Sequence, residues 1–154
     1  MTDPRLAAIA DARFLTRRVF RIVDDEARRH GVDPLENQLL VQLLGAAART
    51  RTVSELATRL DVPLNLVSRL SRNLEDRGLV ERAESPKDAR VTLVRVTTVG
   101  ARLTRKISNR ARIRFASLHD EMSEERRLAA LLIWAGNFGV ELSVTPTPGQ
   151  FSSA

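Results

Sequence analysis

Asn65, Ser68, Arg69 and Arg72 recur at three- and four-residue spacing within residues 63 to 77, so a helix there would present them on one face. Val67, Leu70 and Leu74 share the opposite, apolar face of the same segment. The outward set suits contact with base edges: Arg bonds guanine through two parallel hydrogen bonds, Asn matches adenine, and Ser serves a base or a phosphate. A second polar set follows in Ser85-Pro86-Lys87-Asp88-Ala89-Arg90. Lys87 and Arg90 put two cations on a loop too polar to bury, and a protruding Arg can enter the narrow, strongly negative minor groove of DNA. Asp88 is two residues from Arg90, so its carboxylate is placed to orient the guanidinium by a paired hydrogen bond. Each set alone also fits a bland reading, an exposed helix face or a solvated turn with a weak surface ion pair. Their succession within thirty residues gives them weight.

Other chemistry finds little support. The chain has no cysteine, which excludes disulfides, thiolate catalysis, thiol redox sensing and Cys-based zinc sites. Its only imidazoles are His30 and His119, and neither stands in a recognisable spacing with Asp, Ser or Glu. His119 is followed by Asp120 and Glu121, but adjacent helical residues do not point the same way. There is no Gly-rich phosphate loop. No enzyme, cofactor or metal is therefore expected. The longest apolar-rich runs, residues 37 to 48 and 128 to 140, are too short to span a bilayer, and the N-terminal stretch MTDPRLAAIADARF lacks a signal-peptide layout. The expectation is a cytoplasmic protein with no membrane partner.

Charge is unevenly placed. The 154 residues carry a net +6, yet Arg49 to Arg114 alone holds 16 Lys/Arg against 7 Asp/Glu, a balance of +9, and the remainder is −3. A basic excess centred on the two polar sets is the electrostatic footprint of a nucleic-acid binder. Since 23 of the 25 basic residues are Arg, a merely Arg-rich solvated surface is the competing reading.

These side chains need elements to hold them. Apolar positions from Leu6 to Ala27 predict a long amphipathic helix over residues 5 to 29, ended by Gly31. Leu35, Leu39, Leu40, Leu43, Leu44 and Ala47 predict the buried face of a second helix, 34 to 48. Thr52-Val53-Ser54-Glu55 reads as a capping box opening a third helix with Leu56, Ala57 and Leu60 inward. A tight turn at Asp61-Val62 leads to a fourth helix beginning at Pro63 and closed by Gly78, the pair forming a helix-turn-helix. Residues 79 to 84 and 91 to 97 read as strands of a hairpin whose tip is 85 to 90. Thr97 or Thr98 caps a fifth helix, with Leu103, Ile107, Ala111, Phe115, Leu118 and Met122 in one stripe. Ser123 opens a sixth, and residues 143 to 154 read as a disordered tail.

The fold class is thus mainly α with a small β-hairpin. A winged helix-turn-helix at 34–99 is flanked by terminal helices at 1–33 and 100–142. Those flanking helices carry about half the chain and bracket the module at both ends. They suit a dimer interface, since a palindromic DNA site needs a two-fold symmetric reader. A single-chain six-helix core with no partner is the alternative.

The stretches ELATRL, LVSRLSRNLEDRGLVER, the D-x-R of Asp88-Ala89-Arg90, and VTTVG together resemble the MarR (multiple-antibiotic-resistance regulator) family of bacterial transcription factors. At motif level the resemblance covers about a third of the chain, and the helix layout extends it to nearly the whole. It implies a homodimer with interlocked terminal helices, a recognition helix at 63–77 and a wing around Lys87 to Arg90. It also implies repression or activation of nearby genes, often relieved by a small aromatic ligand between the dimer helices and the DNA module. Two positions depart from the family pattern: Asp61 stands where Gly is frequent, and Ala89 replaces the middle Arg of the wing motif. The expected function is sequence-specific double-stranded DNA binding as a homodimeric transcriptional regulator, a repressor acting on a palindromic operator. Asn65, Ser68, Arg69 and Arg72 would serve the major groove, and Lys87, Asp88 and Arg90 the wing. The alternative is a winged-helix interaction module whose basic face binds an acidic protein.

Overall fold

Short strands and helix ends, rather than long helices, set this architecture. The computed structural model describes residues 3 to 120 together with Ser123 and Glu124. Among these, five α-helices run in order: α1 (Pro4–Arg29), α2 (Pro34–Leu44), α3 (Val53–Leu60), α4 (Leu64–Asp76) and α5 (Thr98–Asp120). Three strands, β1 (Thr50–Thr52), β2 (Val80–Ser85) and β3 (Asp88–Val96), form an antiparallel sheet in the order β1-β3-β2. Residues 19 to 117 make one compact unit; residues 1 to 18 and 118 to 154 make another, of which little beyond the start of α1 is described. The expected sixth helix and terminal tail lie outside the described residues. No helix among those described is long and apolar enough to cross a membrane.

The larger unit is built around Leu39, Leu40, Leu43, Leu56, Val67, Leu74, Val80, Val94 and Ile107, all essentially free of solvent. Every helix and strand except the three-residue β1 contributes, so the sheet and helices share one core. The expected inward positions of α4, Val67, Leu70 and Leu74, are buried.

Three helices of this unit end in the same way. At α1, α3 and α4 a residue in the left-handed conformation, Gly31 (φ 70°), Asp61 (φ 53°) and Gly78 (φ 65°), reverses the chain. In each case the amide of the next residue reaches back five positions: Val32 to Ala27, Val62 to Ala57, and Leu79 to Leu74. This is the Schellman ending, and the residue after the reversal is apolar every time. Asp61 therefore adopts the backbone that Gly would adopt, a conformation Asp tolerates better than most side chains. The departure at that position leaves the turn geometry intact.

The structure corrects the expected outline in four places. α2 stops at Leu44 rather than Ala48: a 3₁₀ turn over Ala47–Arg49 follows, with Ala48 and Arg49 at φ 50° and 54°, and Ala47 is exposed. That reversal frees Thr50–Thr52 to pair with Leu93–Arg95 as a third strand, absent from the expected hairpin. Pro63 is the residue before α4 rather than its first, and its carbonyl accepts from the Leu66 and Val67 amides. The hairpin tip narrows to Pro86 and Lys87, because β3 begins at Asp88.

Candidate nucleic-acid interface

The α3–α4 pair is positioned from both ends. Thr52 Oγ1 accepts from the Glu55 amide at 3.1 Å, and Glu55 Oε2 accepts from the Thr52 amide at 2.8 Å, completing the capping box of α3. That bond from the backbone, aided by the Thr52 hydroxyl and nearby Arg51 and Arg59, holds the Glu55 carboxyl below its ordinary range. Arg59 Nε donates to Gln42 Oε1 at 2.6 Å, tying α3 to α2.

At the other end of the pair, Arg77 closes α4. It donates to Glu36 Oε2 at 2.9 Å and to the Gly31 carbonyl at 2.7 Å, clasping the α1–α2 turn. Glu36 is buried and also completes the Asp33 capping box of α2. Thr97, before α5, is bonded to the residues just past α4. Its amide donates to the Leu79 carbonyl, its hydroxyl lies 2.8 Å from the Gly78 carbonyl, and Thr97 Oγ1 accepts from the Gly100 amide at 3.0 Å. Thr97, not Thr98, is therefore the cap of α5. Gly100 sits so close that a Cβ there would lie 2.1 Å from the Leu79 carbonyl oxygen.

Held in this way, α4 turns Asn65, Arg69 and Arg72 to solvent, with Ser68 half-buried beside them. The spacing Asn65, Ser68, Arg69, Arg72 keeps the four on one face over two turns. Among the described residues, none of the four side chains makes a hydrogen bond or ion pair. The Ser68 carbonyl instead accepts from Ser71 Oγ, and Ser71 is fully buried. Leu64, at the first position of α4, is 53% exposed, which polar patterning alone did not bring out. An apolar side chain at a recognition-helix start can meet a thymine methyl group.

The wing is an exposed two-residue tip. Pro86, Lys87, Asp88, Ala89 and Arg90 all face solvent. Asp88 does not orient the Arg90 guanidinium as expected: Asp88 Oδ1 accepts from the Arg90 backbone amide at 2.9 Å. Two residues apart along one chain, the amide is the nearer donor, and this Asx turn leaves the guanidinium without a partner among the described residues. Ser85 Oγ accepts from the Lys87 amide at 3.3 Å on the other side of the tip. The register breaks here, since Glu84 faces Thr92 while Ser85 faces Asp88, so Ala89, Arg90 and Val91 bulge from β3.

His30 is half-buried at the end of α1, where its Nδ1 bonds the Glu26 carbonyl at 2.8 Å, a packing role. The side chain of His119 lies outside those described.

A helix-turn-helix whose second helix shows a polar face, followed by a hairpin that completes a three-stranded sheet and ends in a protruding tip, defines a winged helix-turn-helix. Residues 30–91 match the family model described as MarR family. The matched residues span α2, α3, α4 and β2. The chain is 39% identical over 49 residues to the HTH-type transcriptional repressor IacR of Pseudomonas putida, covering 32% of this chain and 29% of that protein. It is 34% identical over 76 residues to the uncharacterised HTH-type transcriptional regulator YdgJ of Bacillus subtilis, covering 49% and 46%. The alignments thus span less than half the length of these curated relatives. In fold it is similar to Sco3205, a MarR family transcriptional regulator from Streptomyces coelicolor solved in complex with DNA: TM-score 0.68, 19% identity, 96% of this chain and 94% of that one.

Proposed function

We propose that this protein is a homodimeric, sequence-specific repressor that binds a palindromic operator in double-stranded DNA. One observation carries the reading: the side chains of Asn65, Arg69 and Arg72 on α4, and of Lys87 and Arg90 at the wing, are exposed and, among the described residues, without a hydrogen bond or ion pair, on a scaffold held by hydrogen bonds. Arg69 is the base reader, with Asn65 and Ser68 ahead of it and Arg72 toward the phosphates. Lys87 and Arg90 engage the minor groove or its phosphates, and Asp88 shapes the tip rather than touching DNA.

Dimerisation is supported by α1, whose apolar stripe is left open in one chain: Leu6 is 64%, Phe14 56% and Phe20 55% exposed. Apolar side chains of this size and exposure on one helix favour a covering partner, and the residues 1–33 and 100–142 are proposed as the dimerisation segments. Two symmetric readers require half-sites about one helical turn apart, or a multiple of it. Relief by a small aromatic ligand follows from the family resemblance.

Footprinting and gel-shift titration on the DNA flanking the gene test this. Wild type should protect two half-sites. Arg69→Ala should weaken binding and relax base preference at one position in each half-site by about 1–3 kcal/mol. Arg90→Ala should weaken operator and random DNA alike. Unchanged binding by both variants, or protection of a single half-site, would overturn the proposal. Binding to an acidic protein but not to DNA would favour the interaction-module alternative.

A further inference from the structure

The basic excess does not end with the winged module. No carboxylate lies between Asp88 and Asp120, while eight Lys/Arg do. Six of the eight, Arg102, Arg105, Lys106, Arg110, Arg112 and Arg114, are on α5. Arg114 is used structurally, donating to the buried Glu26 of α1 at 3.2 Å. Arg102, Arg105, Lys106 and Arg110 are exposed, and among the described residues none of them has an ion-pair partner. With Asn109 and Ile113 they line a shallow depression along α5.

The helix geometry gathers these side chains. At about 100° per residue, positions 102, 105, 106, 109, 110 and 113 fall within an arc of about 140°, and they run about 16 Å along the axis. α1 offers a contrast: it interleaves Asp11, Asp24, Asp25 and Glu26 with its arginines, and Arg28 and Arg29 pair with Asp25 and Glu26. A helix face built only for solubility would carry both signs in this way. On α5 the like charges stand unopposed, which costs self-repulsion unless an anion relieves it.

We propose that this row is a second, sequence-independent DNA-binding surface that grips the phosphate backbone of the duplex read by α4. The inference rests on the DNA-binding reading above. The shape of the row selects the occupant. Among the described residues its lining comes from one helix, which by itself offers no opposing wall to bury a small anion, and small-molecule sites bury most of their ligand. A polyanion needs only a surface: over about 16 Å, duplex DNA presents roughly nine phosphate charges. The surface adds affinity and no base discrimination, because phosphate contacts carry no sequence information directly.

The test is the salt dependence of binding by the full-length protein, measured on operator and on random duplex. The variant Arg102→Gln/Lys106→Gln/Arg110→Gln should bind both DNAs more weakly. Its slope of log K against log salt should be shallower than wild type by about 5, since the dimer loses six cations at about 0.9 for each phosphate that is no longer neutralised. The operator-to-random ratio should stay within about threefold, unlike that of Arg69→Ala. Arg102→Lys/Arg110→Lys should keep the wild-type slope. If the triple variant folds poorly, Lys106→Gln alone should lower the slope by about 2, one cation being lost from each protomer. An unchanged slope in a folded variant overturns the proposal while leaving the α4 reading in place. So does loss of dimerisation with no change in slope, which would make the row an interface between copies. Wild type that binds neither DNA sinks the DNA-binding reading itself, and this proposal with it.

Discussion

The two ends of α4 use polar side chains in opposite ways. At its C-terminus, Arg77, Gly78 and Leu79 are bonded to the α1–α2 turn, to Glu36 and to Thr97. Along its outward face the side chains of Asn65, Arg69 and Arg72 have no hydrogen-bond or ion-pair partner among the described residues, and neither have those of the wing cations Lys87 and Arg90. Arginine serves in both regions, so residue type does not separate them; bonding does. An arginine held by a buried carboxylate is committed to the fold, whereas one left to water has its donors free for a ligand. Under the proposed function, folding and recognition fall to different side chains within a few turns of one helix.

Substitutions at the bonded end should change stability and leave the affinity of folded protein alone; those on the bare face should do the reverse. Gly100→Ala is the severest of the first kind. A Cβ pressed 2.1 Å from the Leu79 carbonyl forces the start of α5 off the end of α4, for a loss of about 3 kcal/mol in denaturant unfolding. Arg77→Ala should cost about 2 kcal/mol, since it strands the buried Glu36 carboxylate, softened because Arg77 itself is partly exposed. Arg69→Ala or Arg72→Ala should stay within about 0.5 kcal/mol of wild type by the same measurement. A large loss there would erase the distinction between the two regions.

Smaller effects sharpen it at the turn and cap before α4. Thr52→Ala should remove about 1 kcal/mol by opening the α3 capping box. Because the Glu55 carboxyl is held below its ordinary value of 4.5, its contribution is present at neutral pH and fades as pH falls through the lowered folded value. Glu55→Gln should flatten that acid dependence in a stability-versus-pH series. Least of all, Asp61→Gly should raise stability by about 0.5 kcal/mol, as it relieves the left-handed φ of 53° without moving the turn. A destabilised Asp61→Gly would mean that the Asp side chain, not the backbone, holds the turn.

Much of the scaffold was legible in the sequence because it rests on local chemistry. The Thr52–Glu55 box, the Val67–Leu70–Leu74 face and the Gly78 reversal each depend on residues within a few positions of one another. β1 was not legible: three residues are too few for alternation to show, and Thr50–Thr52 becomes a strand only by pairing with Leu93–Arg95, some forty positions on. The candidate site was read from the sequence as a set of polar positions, of which Asn65, Arg69, Arg72, Lys87 and Arg90 are exposed, and their part in binding DNA rests on the proposal above. What spacing could not supply was which arginines are engaged. Arg77 lies in the same stretch as Arg69 and Arg72, and only the approach of Glu36 and the Gly31 carbonyl sets it apart. Spacing gives the Asp88 carboxylate the wrong donor for a related reason, since sequence proximity does not say whether backbone or side chain is nearer.

The joint at Thr97 makes α4 and α5 a single bent lever. Thr97 bonds Gly78 and Leu79 on one side and the Gly100 amide on the other, and the glycine leaves no gap to slide across. With no slack at the elbow, a turn of α5 must swing the end of α4 with it or break those bonds. Displacing the start of α5 should therefore be felt first at the end of α4, through bonded backbone and not through the side chains that α4 displays.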